Sequence, residues 1–206
     1  RIIHLNMGPT AKISGNSDDY VVKEGGAINF SASGSISVVG VLSYDWGLGN
    51  TNVSYNSTFT GTTNVVSLTV TDNFGATDTV TVNVTADADN PVASFTSIVK
   101  ENTDDPGSVV NATNVIEDFS TVVFNASGSS DATSSVSSYS WDFGDGNTDT
   151  GKVVSHSFET PGDFNVVLTV ADGAGNSATT SSSVKVHDIT PPSANFNWSY
   201  INSDGD

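Results

Sequence analysis

The feature that most constrains this chain is that it repeats itself. Ser33-Gly34-Ser35, Tyr44, Trp46, Phe59 and LTVTDNFG (68–75) return in the same order as Ser127-Gly128-Ser129, Tyr139, Trp141, Phe158 and LTVADGAG (168–175). A repeat of this length implies one folding unit used twice. The unit boundary recurs as well. Pro9-Thr10-Ala11-Lys12-Ile13, Pro91-Val92-Ala93-Ser94-Phe95 and Pro192-Ser193-Ala194-Asn195-Phe196 each place a proline ahead of an alternating stretch, where its missing N–H costs a strand little. The organisation read from these marks is an extension or the end of a preceding unit at 1–8, a first domain at 9–87 and a second at 88–190. Residues 191–206 are then the first strand of a third unit or a donor strand.

Within each unit the hydrophobic period is two, as a half-buried strand requires. Ile28, Phe30 and Ala32 alternate with Asn29 and Ser31, and Val122, Phe124 and Ala126 alternate with Val123 and Asn125. Phe164, Val166, Leu168 and Val170 form one face of a strand that runs into the Asp172-Gly173-Ala174-Gly175 turn, a hairpin signal. Abundant Asn, Ser, Thr, Gly and Val, with sparse Leu, Lys and Glu, favour strands and turns over helices. The expected fold class is all-β: tandem Ig-like β-sandwiches of about seven strands each, plus the C-terminal strand of an incomplete third unit.

A net charge of −17 with only six Lys and Arg repels nucleic acid and anionic membranes and draws cations. No cysteine is present, which excludes disulfides and thiolate metal sites. No apolar run approaches the roughly 20 residues of a membrane span. The chain starts at Arg1 without a leader pattern, so a processed or excised piece is expected.

The densest chemical signal is SYSWDFGDGN (138–147). Tyr139, Trp141 and Phe143 alternate with Ser140 and Asp142, so the aromatics point inward and Asp142 outward. Gly144 and Gly146 suit positive φ, and Asp145 suits capping of the turn N–H groups. An EF-hand would need ligands at alternate positions and a closing Glu, which are absent here. The first unit reads WGLGNTN (46–52), with Gly47 for the first Asp and Asn50 for the second; a catalytic acid pair is therefore not expected. The histidines, His4, His156 and His187, meet no nucleophile elbow, and the chain is not expected to be an enzyme.

The stretches GSSDATSSVSSYSWDFGDGN (128–147), HSFETPGDFNVVLTVADGAGNSA (156–178) and SVKV (183–186) resemble a PKD domain, an Ig-like module named for the polycystic kidney disease protein. The resemblance covers nearly all of 91–187 and makes the first unit a degenerate relative. It implies a structural core built on Trp46, Trp141, Tyr139 and Phe143. It also implies a calcium ion near the start of the domain, as in PKD domains of some secreted enzymes, held at the positions of Asn90 (or Asp89), Asp131 and Asp172. The first unit keeps Asn6 and Asp72 there, but its GSISVVG (34–40) carries no acid.

Asn-x-Ser/Thr sequons make Asn29, Asn52, Asn56, Asn83, Asn111, Asn125 and Asn197 glycosylation candidates. In the tail, Ala194, Phe196, Trp198 and Tyr200 alternate with polar residues and form a candidate assembly strand, because an uncovered aromatic face favours association. RIIHL (1–5) is a second such strand. Together these features point to a non-catalytic extracellular module of a cell-surface, surface-layer or filament protein. It would act in spacing and assembly, including donor-strand exchange, with copies of itself, other surface proteins or glycans as partners. The alternative is an accessory polysaccharide- or protein-binding module of a secreted hydrolase, making contact through Tyr20, Tyr55 and Phe74.

Overall fold

The computed structural model describes residues 8–14, 19–38, 40, 42–47, 49–100, 115–117 and 121–188. These residues form two sandwiches. The first contains β1 (Asp19–Lys23), β2 (Ala27–Ser31), β3 (Ser43–Asp45), β4 (Ser54–Thr58), β5 (Asn64–Thr71) and β6 (Thr77–Asp87). The second contains β7 (Thr96–Val99), β8 (Val115–Glu117), β9 (Thr121–Asn125), β10 (Val136–Asp142), β11 (Thr148–Thr150), β12 (Val153–Ser157), β13 (Gly162–Asp172) and β14 (Ser177–His187). No helix among the described residues is long and apolar enough to cross a membrane.

Strand order repeats with the sequence. In the first unit β1-β6-β5-β3 faces β2-β4; in the second β11-β10-β13-β14-β8 faces β12-β9-β7. Each last strand pairs antiparallel with the strand before it and parallel with an early strand, β1 on β6 and β8 on β14. The long antiparallel hairpins, β5–β6 and β13–β14, turn at Asp72 and Asp172.

Alternation places one face of each strand in the core. The first core collects Phe30, Trp46, Phe59, Leu68, Val70 and Val84, and the second collects Phe124, Trp141, Phe143, Phe158, Leu168 and Val170. Both tryptophans are buried and keep an indole N–H partner: Trp46 Nε1 donates to the Asn52 carbonyl and Trp141 Nε1 to the Gly151 carbonyl, each at 2.9 Å. Aromatic bulk with a satisfied polar atom stabilises a disulfide-free sandwich.

Two expectations are corrected. The prolines do not open strands directly. Residues 9–14 make only bridges, Thr10 with Ile36 and Ser14 with Ser31, and β7 starts at Thr96, beyond Pro91 and the Val92–Ser130 bridge. Tyr20 and Tyr55 are strand residues turned toward Phe30, with ring centroids 5.4 and 6.3 Å from it. Of the three proposed contact aromatics, Phe74 alone is exposed.

Candidate functional site

The first unit ends where the second begins, and three carboxylates meet there. Asp87 closes β6, Asp131 follows the Val92–Ser130 bridge, and Asp172 opens the β13–β14 hairpin. One oxygen of each lies within 4.8 Å of the others. Asp87 is 0 % exposed and Asp172 2 %. The loops hold them there by using up other oxygens. Asp131 Oδ1 accepts from the N–H groups of Thr133 (2.9 Å) and Ser134 (2.7 Å). Asp172 Oδ1 accepts from the N–H groups of Ala174, Gly175 and Asn176, and Asp87 Oδ1 accepts from Asp89 N–H. Asn176 Nδ2 bridges the units, donating both to Asp172 Oδ2 (3.0 Å) and to the Asp87 carbonyl (3.2 Å).

After this accounting Asp87 Oδ2 and Asp131 Oδ2 remain buried with no hydrogen-bond partner among the described residues. The Ser134 N–H, helped by that of Thr133 against partial burial, holds the Asp131 carboxyl below its ordinary range. It is thus an anion at neutral pH, although two other acids lie beside it. At such separations like charges repel by on the order of 3 kcal/mol per pair for an effective dielectric of 20. A hard cation resolves both the repulsion and the unpaired oxygens, and three carboxylates supplemented by carbonyls or water match the oxygen set that Ca²⁺ prefers.

Asp131 and Asp172 come together as the sequence implies, but the third acid is Asp87 and not Asn90. Asn90 is exposed, and Asp89 points its Oδ2 at the Thr133 hydroxyl, 3.1 Å away. A usable signal existed: Asp87 precedes Pro91 by four residues, as Asp188 precedes Pro192. In the first unit Ser37 takes the place of Asp131, and Asp72 belongs to no cluster of three such groups among the described residues; Asn6 lies outside them.

The WDFGDG turn is a structural clasp. Asp142 Oδ1 accepts from Gly144 N–H, and Phe143 N–H donates to the Asn147 carbonyl. His156 on β12, in the opposite sheet, stacks on Phe143 with centroids 3.9 Å apart, and its Nε2 lies 2.7 Å from Asp145 Oδ2. Burial raises the Asp145 carboxyl, but the Asn147 N–H and the His156 ring outweigh it and hold Asp145 below the ordinary range. Both side chains are 13 % exposed, so the pair ties one sheet to the other.

The first unit keeps this turn in a shorter hairpin. Gly47 N–H donates to Asp45 Oδ1 and Trp46 N–H to the Asn50 carbonyl, repeating the bonds of Gly144 and Phe143. DWGLGN therefore matches DFGDGN, and the expectation that the first unit discards both acids is corrected: Asp45 is the equivalent of Asp142, and only Asp145 is replaced, by Leu48. What the first unit lacks is a pair of residues, Ser140-Trp141, between tyrosine and turn. Trp46 thus occupies the turn position of Phe143 while supplying the buried indole. Ser57 stands where His156 does, since Tyr55 pairs with Phe30 as Val154 does with Phe124. The first unit has a recess of about 290 Å³ bordered by Trp46, Tyr55, Ser57, Asn64, Val66 and Ser67, and two of these, Ser57 and Asn64, stand at the register positions of His156 and Phe164.

Asn29, Asn52, Asn56 and Asn83 are exposed, and Asn83 Nδ2 donates to Asp19. Asn125 is partly buried, with its Oδ1 engaged by Ser127 N–H. Asn111 and Asn197, together with Ala194, Phe196, Trp198 and Tyr200, lie outside the described residues.

A PKD domain model matches residues 103–186. The chain is 37 % identical over 82 residues to the pre-pro-metalloprotease PrtV of Vibrio cholerae, an alignment that covers 38 % of this chain and 9 % of that protein. It is 31 % identical over 81 residues to a microbial collagenase of Vibrio alginolyticus, covering 39 % of this chain and 10 % of the relative. The chain thus spans about a tenth of the length of these relatives. Among solved structures, the PKD1 domain of Vibrio cholerae PrtV is 32 % identical, with a TM-score of 0.36, covering 48 % of this chain and 98 % of that one. The match to the PKD domain model thus falls on the second unit, and the first repeats that unit's strand order around a shortened tryptophan hairpin.

Proposed function

We propose that this chain works outside the cell as a non-catalytic spacer segment of a secreted or surface protein, with a joint stiffened by a calcium ion at Asp87, Asp131 and Asp172. The observation that carries the reading is the pair of buried, unpartnered oxygens, Asp87 Oδ2 and Asp131 Oδ2, contributed by different units on residues of one acidic cluster. An ion there links the last strand of one sandwich to two loops of the next. Tandem modules transmit force and hold spacing only when such joints resist bending. The likeness to segments of a metalloprotease and a collagenase supports an accessory role of this kind.

The test is calcium titration of chelator-stripped full chain, reading melting temperature and small-angle scattering. Calcium should raise the melting temperature and narrow the distribution of inter-unit distances, and Asp87→Asn should abolish both responses. A melting temperature indifferent to calcium up to millimolar concentrations defeats the reading.

Assembly belongs to the same proposal. Residues 191–206 would pair with a neighbouring copy or another surface protein, so deleting 193–206 should abolish any head-to-tail polymer, and polymers that persist would count against this part. A second reading is supported by the first unit's cavity. Trp46 and Tyr55 stack with centroids 5.7 Å apart beside Ser57, Asn64 and Ser67, an apolar base with polar edges suited to a sugar ring or a peptide side chain. Pull-downs on chitin, cellulose and collagen test it. Retention that is lost in Ser57→Trp, which fills the cavity, would favour this reading.

A further inference from the structure

The recess of the first unit lies against an open strand edge. It is bordered by β4, β5, Trp46 and Phe59, with no residue of β2 or β6, so it opens on the side of the sandwich where β4 is the outer strand. Ala32 N–H donates to the Val53 carbonyl, and Phe59 N–H donates to the Gly26 carbonyl. Such bonds alternate along an antiparallel ladder: Tyr55 and Ser57 bond toward β2, as Val53 and Phe59 do, while Ser54, Asn56 and Thr58 turn their N–H groups to the other side. Among the described residues no strand pairs with that side of β4.

Proteins blunt exposed strand edges with charge, lysine above all, or with cover. In the second unit Lys152, whose carbonyl accepts from Ala126 N–H, stands where Val53 does, and His156 and Phe164 stand where Ser57 and Asn64 do. Both of those rings lie against Phe158, with centroids 4.7 Å from it. Phe59, its equivalent, borders the recess instead. The first unit carries no charge from Thr51 to Thr58, and Val53 is 46 % exposed. An unblunted edge and a recess beside it thus occur together in the first unit.

The second unit also specifies what the recess accepts. Phe164 stacks on Phe158 at an interplanar angle of 27°, and a cavity of about 150 Å³ is enough to hold a benzene ring; the recess measures about 290 Å³. On a strand added beside β4 every second side chain points between the sheets, so one ring of that strand can reach Phe59. The net charge of −17 favours a basic partner over an acidic one.

We propose that the first unit binds an extended, basic segment of another protein by strand addition to β4, with one aromatic side chain of that segment seated in the recess. Main-chain bonds supply the affinity and the recess supplies the selectivity. The proposal rests on the reading of the recess as a ligand site, and it commits that site to a peptide.

The probe is a synthetic seven-residue peptide with phenylalanine at the centre, threonine two places to either side and lysine at the remaining positions. It is titrated into the full chain in chelator, which separates this site from the calcium reading. Hydrogen exchange should show added protection at the Asn56 and Thr58 amides and none at Tyr55 and Ser57, which already bond toward β2. Replacing the central phenylalanine by alanine should weaken binding about tenfold. Ser57→His combined with Asn64→Phe, which gives the recess the second unit's rings, should abolish binding, and Val53→Lys, a change at an exposed position, should weaken it several-fold. Equal affinity for the two peptides, or protection that misses Asn56 and Thr58, would overturn the proposal. Retention on chitin or cellulose that Asn64→Phe removes, without any response to the peptide, would keep the recess as a sugar site and overturn strand addition. Dimerisation in sedimentation that Asn64→Phe removes would place a second copy there and overturn it too.

Discussion

The two units meet the same packing requirement with different hairpins. Each carries an aromatic-Gly-x-Gly-Asn turn behind an aspartate and buries one tryptophan under it. In the second unit two extra residues let Trp141 and Phe143 both reach the core, and His156 and Asp145 close the sheets over them. In the first, one residue, Trp46, takes both places, and a cavity of about 290 Å³ is left. The recess lies where the first unit has Ser57 and Asn64 at the places of His156 and Phe164: rings that are missing cannot be replaced by their neighbours in a close-packed interior.

The comparison can be broken by removing each tryptophan. Trp141→Ala should cost about 3–5 kcal/mol in urea unfolding, as expected for a fully enclosed ring. Trp46→Ala should cost less, because its ring already borders open space and forfeits fewer contacts. The reverse order would mean that the recess is not a packing defect.

The equivalent acids of the two units offer the next contrast. At a calcium concentration 100 times the dissociation constant, binding should add about 2.7 kcal/mol to the second unit, and Asp87→Asn or Asp131→Asn should erase the gain. Asp72→Asn should leave it intact, since that acid stands apart from the cluster.

His156→Ser gives the second unit the residue found in the first. It should cost about 2 kcal/mol through the lost charged hydrogen bond to Asp145, measured by denaturant unfolding, and should open a recess like that of the first unit. A loss within error would show that the clasp is ornamental. The acid limb follows from Asp145 and Asp131, both held below the ordinary carboxylate value. Their contributions are complete above the unfolded value and are lost as pH falls through the folded one, so stability of the second unit should decline below about pH 4. Asp145→Asn should flatten that limb, whereas changes in the first unit should not.

The smallest contrast concerns equivalent glycines. Gly47 and Gly144 have φ of 78° and 77°. Gly47→Ala should cost about 1–2 kcal/mol from the left-handed backbone alone, since nothing lies within 4 Å of its added Cβ. Gly144→Ala should cost more, because that Cβ would sit 2.8 Å from the Asn165 carbonyl oxygen. Equal losses would mean that the turn simply shifts away.

Much of this was legible in the residues. Alternation named the core faces of β2, β9 and β13, and the repeat named equivalent strands, because side chains in a strand change sides at every step. Asp131 and Asp172 were reached through the resemblance to PKD domains, which places each by the motif beside it. Asp87 was missed because it closes a strand of the other unit. Its carboxylate belongs to the second unit's cluster only once Asn176 has drawn the Asp87 carbonyl against the hairpin. The match between DWGLGN and DFGDGN was hidden as well, since aligning tryptophan with tryptophan is correct on the strand and wrong at the turn.

The sequence by itself determined the module, its repetition, its strand faces and the absence of any disulfide, since these follow from local period, turn residues and composition. Only the tertiary structure decided which acids share a site, that His156 belongs to the WDFGDG turn, and that the first unit keeps a recess beside Trp46. Those outcomes depend on where the ends of separate strands meet in space, and a meeting between residues 87, 131 and 172 has no local signature along the chain.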